Sequence, residues 1–129
     1  MAQPPFYWEH IEWPGVAVAG GDTIEAAVWV AEAAYIDHVE VLMRTKHTVG
    51  TYTFSATNTG PAKSILVASS YNMAALTADV VTSLVLSSSV SDRTMAAGTL
   101  LGLSMASSDA GFDGDGIHVR IRLRRGRVA

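Results

Sequence analysis

The chain has no cysteine, few charges, and no Lys or Arg in its first 43 residues. Without cysteine, neither a disulfide framework nor a thiolate metal site is possible. No apolar run approaches the 18 or so residues of a membrane span. Val16–Ala19 is too short for the apolar part of a signal peptide, and no basic residue precedes it. A soluble protein made in the cytoplasm, with no membrane partner, is the expectation. Catalytic signatures are also missing. There is no G-x-S-x-G elbow, H-E-x-x-H, P-loop or G-x-G-x-x-G. The serines are numerous but lie in no such context, so no catalytic residue is assigned and no enzyme is expected.

The 129 residues suit one domain. A chain of this length buries roughly 68% of the surface exposed when unfolded, enough to fold without staples. A net charge of −3 conceals a polarity. Residues 1–43 hold seven acids, Glu9, Glu12, Asp22, Glu25, Glu32, Asp37 and Glu40. The last ten residues hold five of the nine basic side chains, Arg120, Arg122, Arg124, Arg125 and Arg127. Such polarity predicts that the two ends meet, within one chain or between neighbours.

Gly116–Arg125, GIHVRIRLRR, is the most informative stretch. Ile117, Val119, Ile121 and Leu123 alternate with His118, Arg120, Arg122 and Arg124, a period of two that puts one apolar and one cationic face on a strand. Arg120, Arg122 and Arg124 would stand about 7 Å apart along it. Carboxylates of an adjacent protomer or of a partner's acidic surface are the expected neighbours. Thr23–Ala31, Tyr35–Arg44, Thr51–Thr57, Lys63–Ser69, Asp79–Ser87 and Thr99–Ala106 also read as strands, separated by Gly-, Asn-, Ser- and Pro-rich turns. In Tyr35–Arg44, Val39, Val41 and Met43 should point inward. Asn72–Ala78 reads as a short helical turn or a crossover, and Ser88–Asp92 as a loop. About eight short strands and no amphipathic helix predict an all-β fold, an antiparallel, jelly-roll-like β-sandwich over residues 16–129.

Residues 1–15, MAQPPFYWEHIEWPG, read differently. Pro4-Pro5 favours an extended path. Phe6, Tyr7, Trp8 and Trp13 follow no clear period, and large rings seldom stay in water. The expectation is an extended N-terminal arm whose four aromatics anchor on a neighbouring subunit or another protein. With Arg120, Arg122 and Arg124 they form the candidate partner-binding set.

Two ligand readings are weaker. His10, His38, His47 and His118 lack metal-ligand spacing, although His38 and His118 occupy outward strand positions and could meet across a sheet. Asp109, Asp113 and Asp115 crowd a Gly-rich loop, but the closing Glu of a calcium loop is absent, and the reading is turn chemistry. No metal and no cofactor are expected. Nucleic acid is not an expected partner, because the chain is acidic overall and its aromatics lie far in sequence from its arginines.

Asp92–Leu103, DRTMAAGTLLGL, followed by a Gly-rich turn and the closing GIHVRIRLRR, resembles the decoration, or cement, proteins of tailed-bacteriophage heads. AALTADVVTSLVLS and VWVAEAAYIDHVEVL are similar to the strands that precede these segments in that family. The likeness spans about residues 26–125. Thr99 stands where the family usually has Asp, and the aromatic arm has no counterpart. The resemblance implies a β-sandwich, often a homotrimer, on the capsid exterior of the virion, without an active site. It would bind the major capsid protein and stabilise contacts between its copies. A carbohydrate- or receptor-binding domain of a phage fibre or tail is the alternative, with Trp29 or Tyr71 as the aromatic platform.

Overall fold

The computed structural model describes residues 6–13, 23–48, 50–107 and 115–125, with residues 11–13, 23, 24 and 115 described by backbone alone. Two five-stranded antiparallel sheets enclose one apolar core. The first contains β1 (Phe6–Trp13), β10 (Asp115–Arg125), β3 (Ala34–Thr45) and, both paired to β3, the short β7 (Thr82–Ser83) and β8 (Thr94–Met95). The second contains β2 (Thr23–Val30), β9 (Thr99–Ser107), β4 (Tyr52–Asn58) and, both paired to β4, β5 (Lys63–Ser64) and β6 (Tyr71–Asn72). β5 with β6, and β7 with β8, each fill one strand position. The ten segments thus make eight positions whose successive members run through the two sheets as in a jelly roll.

Period-two sequence produces the core. Ile117, Val119, Ile121 and Leu123 of β10 are buried. They meet Val39, Val41 and Met43 of β3, Tyr52, Phe54 and Ala56 of β4, and Leu101, Leu103 and Met105 of β9. Each inward set alternates with outward residues, as expected of sheets with one face on a core. One register shift interrupts the pattern. Arg122 pairs with His38 but Leu123 pairs with Ile36, so Asp37 is an extra residue in β3. This bulge lets Ile36 and Val39 both stay buried while Asp37 and His38 are only half-buried.

Three expectations need correction. The aromatic arm is not a separate extension over residues 6–13. It is β1, paired along its whole length with β10. Phe6, Trp8 and His10 are exposed while Tyr7 and Glu9 are half-buried. The alternation was invisible because aromatic side chains occupy both faces. Asp79–Ser87 is not a long strand. Only Thr82–Ser83 pairs with β3, and Val80, Val81 and Val85 are exposed. Lys63–Ser69 likewise contributes two strand residues and then a single bridge from Leu66 to Leu86. Apolar composition signalled strand where only Ile65, Leu66 and Leu84 are buried in the core, with Leu86 packed against it.

The turn chemistry is specific. Asn72 caps the 3-10 turn Met73–Ala75 through its side chain, which accepts from the Ala74 amide. Ser88–Asp92, expected as loop, runs into the single helical turn α1 (Val90–Arg93). Buried Asn58 secures that turn by donating to the carbonyls of Asp92 (3.1 Å) and Thr94 (2.8 Å). Gly116 has φ of +64°, and a Cβ there would lie 2.6 Å from Cβ of Arg44, so only glycine fits. Asp109 and Asp113 lie outside the described residues, as does the side chain of Asp115.

Candidate functional site

The outward face of β1, β10 and β3 gathers most of the expected partner-binding residues. Register decides this. Phe6 stands opposite Arg124, Trp8 opposite Arg122 and His10 opposite Arg120. Long side chains on paired strands reach their diagonal neighbours too. The Arg120 guanidinium carbon lies 4.4 Å from the centre of the Trp8 ring. Arg122 lies 4.9 Å from Phe6 and 5.7 Å from Trp8, and Arg124 lies 5.5 Å from Phe6. Cations and rings therefore interleave across the two strands, each contact being worth about 0.5–1 kcal/mol at an exposed site.

On the other flank β3 supplies counter-charge. Glu40 pairs with Arg120 in register, and its Oε1 accepts from Nε (2.9 Å) and a terminal nitrogen (2.5 Å) of that side chain. The bulge residue Asp37 accepts from Nε of Arg122 at 2.7 Å. Arg124 donates to the Tyr35 hydroxyl at 3.1 Å. The expected meeting of the acidic third and the basic end therefore occurs within one chain. Acids of a neighbour are not needed to separate the three cations. Partial burial would raise the Glu40 carboxyl, but hydrogen bonds from Arg120 and His38 outweigh it and hold the group below its usual value.

Tyr7 takes no part in this outer face. It packs against the core, with the Arg125 guanidinium 4.4 Å from its ring centre. Burial, reinforced by Glu9, raises its hydroxyl above the ordinary phenol value. Trp13 pairs with Ile117 by backbone, and its side chain lies outside the described residues. Of the four aromatic anchors, then, Phe6 and Trp8 are placed outward, Tyr7 inward.

The histidine partnership differs from the one the spacing suggested. His38 meets Glu40 (3.1 Å) and Ser83 (3.2 Å), not His118. His118 instead meets His10 across β1 and β10, with 3.1 Å between Nδ1 of the former and Nε2 of the latter. The pair borders a recess of about 300 Å³ shared with Glu40, Val41, Leu42, Val81 and Arg120. His10, Asp37 and Glu40 were not picked out from sequence as site residues. No signal marked them, because the bulge and the pairing of β1 with β10 are both long-range.

On the second sheet, Trp29 is 73% exposed and stands opposite Leu100, itself 43% exposed. Tyr71 is half-buried against the core and offers less surface. Among the described residues β1 and β2 each have a strand on one side only, so both present an open edge. Also among the described residues, no group of three or more His, Asp or Glu side chains is placed to hold a metal, and no helix is long and apolar enough to cross a membrane. No protein-family model matches the chain, and no curated protein matches it significantly.

Proposed function

We propose that this chain is a structural protein of a tailed-phage head, which binds the outer surface of the capsid as a homotrimer and stabilises contacts between major capsid proteins. The observation that carries the reading is the outward presentation of Phe6 and Trp8 on an open edge strand, each stacked on guanidiniums that carboxylates and a hydroxyl hold from behind. Rings held in this way form a contact surface that loses little side-chain freedom on binding. The resemblance of residues 26–125 to decoration proteins supplies the partner. A shell component needs binding energy repeated at each lattice site, and a trimer strengthens modest contacts through effective concentration.

The test is addition of purified protein to capsids that lack it, followed by cosedimentation. Stoichiometric binding is expected. The double variant Phe6→Ala/Trp8→Ala loses four guanidinium contacts, so it should melt several degrees lower while keeping the β-sheet circular dichroism of the parent at the binding temperature. Hot-spot aromatics contribute about 2 kcal/mol or more each, about 4 kcal/mol for the two, so its affinity should fall roughly a thousandfold. Failure of the parent to bind any capsid surface would refute the function. Full binding by the double variant would refute the contact face.

Trp29 favours a second reading, a glycan-binding domain of a fibre or tail. Its exposed ring lies opposite Leu100, with Thr57 in the next register position of that face and Ser104 and Ser55 in the one after. Tryptophan fluorescence quenched by glycans, and insensitive to them in Trp29→Ala, would support it over capsid binding.

A further inference from the structure

We infer that His10 and His118 form a two-imidazole chelate for a divalent transition metal of the zinc, nickel or copper class. Neither residue suggests this by spacing, since 108 positions separate them. The antiparallel register brings them together on the outer face: His10 stands opposite Arg120, and His118 opposite Glu12. Nε2 of His10 and Nδ1 of His118 are 3.1 Å apart, with ring centres at 5.2 Å and planes inclined by 34°. Two imidazole nitrogens bound to one tetrahedral ion at about 2.0–2.1 Å lie roughly 3.3 Å from each other. The pair is therefore within a few tenths of an ångström of chelate separation, and a small rotation of either ring aims both lone pairs at one point.

The chemistry of the pair suits a cation. At 3.1 Å the N–H of one ring donates to the bare nitrogen of the other, the direction being set by the tautomer. A divalent ion that takes the place of that proton is held by the lone pairs of both rings. Imidazole nitrogen is a good donor for zinc, nickel and copper and a poor one for calcium or magnesium. Arg120 lies beside the pair, but Glu40 answers its charge through two hydrogen bonds, so the ion does not enter an uncompensated cationic site. Two side chains leave the remaining coordination positions to water, for which the recess beside the pair gives room. Both strands are paired along their lengths, so the donors are held before the ion arrives. This inference is independent of capsid binding and survives if that reading fails.

The experiment uses the untagged full chain. Zinc and nickel chloride are titrated by calorimetry, and histidine ring resonances are followed by NMR with diamagnetic zinc in parallel. One ion per chain should bind, with the shifts confined to His10 and His118. Removing one of two chelating ligands turns an intramolecular second contact into none, so His10→Ala and His118→Ala should each weaken binding about a hundredfold. His10→Gln and His118→Gln serve as second variants should an alanine disturb the edge strand. His38→Ala should bind as the parent does. Absence of saturable binding, or equal loss in His38→Ala, would overturn the site.

Discussion

Ile121 and Arg122 are adjacent in sequence and sit on opposite faces of β10, so truncating each to alanine should give very different results. Ile121 is fully buried between the sheets. Ile121→Ala removes three carbons, worth about 2.4 kcal/mol at roughly 0.8 kcal/mol each. Ile121 lies between β1 and β3 in a core that both sheets build, where the surroundings relax only partly, so the cavity brings the loss to about 3–5 kcal/mol. Arg122→Ala removes a partly exposed ion pair to Asp37 and ring contacts with Phe6 and Trp8. Exposed pairs are worth about 0–1 kcal/mol and each ring contact about 0.5–1. A loss of about 1–3 kcal/mol is expected. Urea unfolding followed by fluorescence measures both. With m near 1.5 kcal/mol/M, Ile121→Ala should lower the midpoint by about 2–3 M and Arg122→Ala by about 0.7–2 M. Equal midpoints would mean that the alternation of β10 does not separate core from surface, and the strand assignment would be wrong.

Gly116→Ala should destabilise by more than about 2 kcal/mol, because the left-handed backbone alone disfavours a side chain by about 1–2 kcal/mol and the new Cβ meets Arg44. A midpoint unchanged from the parent in the same assay would mean the turn adopts another backbone. Hydrogen bonds from Arg120 and His38 hold the folded-state Glu40 carboxyl below its ordinary value, so its stabilisation is present above the unfolded-state value and is lost as pH falls through the folded one. The stability advantage of the parent over Glu40→Gln should accordingly shrink as pH falls through the acid range, and an advantage that grew on acidification would disprove the coupling. Burial pushes the Tyr52 hydroxyl up to about 12, so the unfolded chain ionises first and stability should fall as pH rises from 10 toward 12. Tyr52→Phe should lose stability less steeply over that range, with the share of Tyr7 remaining, and identical alkaline melting curves for the two proteins would disprove it.

Strand existence was legible wherever alternation separated apolar from polar residues. β10, β3, β4 and β9 each carry that pattern, and burial follows it through β10, β4 and β9 and through β3 from Val39 onward. β1 was not legible, because FYWEH places aromatics on both faces and hides the period. Asp79–Ser87 misled for the opposite reason, since its valines are apolar but exposed. Composition measures what a segment could bury, and only the fold decides how much of it is needed.

The candidate face divides along the same line. Sequence by itself determined the cationic row, because Arg120, Arg122 and Arg124 must share a side of any strand they occupy. It also determined that an excess of acid at one end and base at the other had to be reconciled. Tertiary structure alone decided how. The pairing of β1 with β10 inserted Phe6 and Trp8 between the guanidiniums, and one extra residue in β3 turned Asp37 outward to meet Arg122. It also set His10 against His118. Period-two alternation is a local property that neighbouring residues express together. Register between strands depends on contacts a hundred residues apart, and no local pattern encodes it.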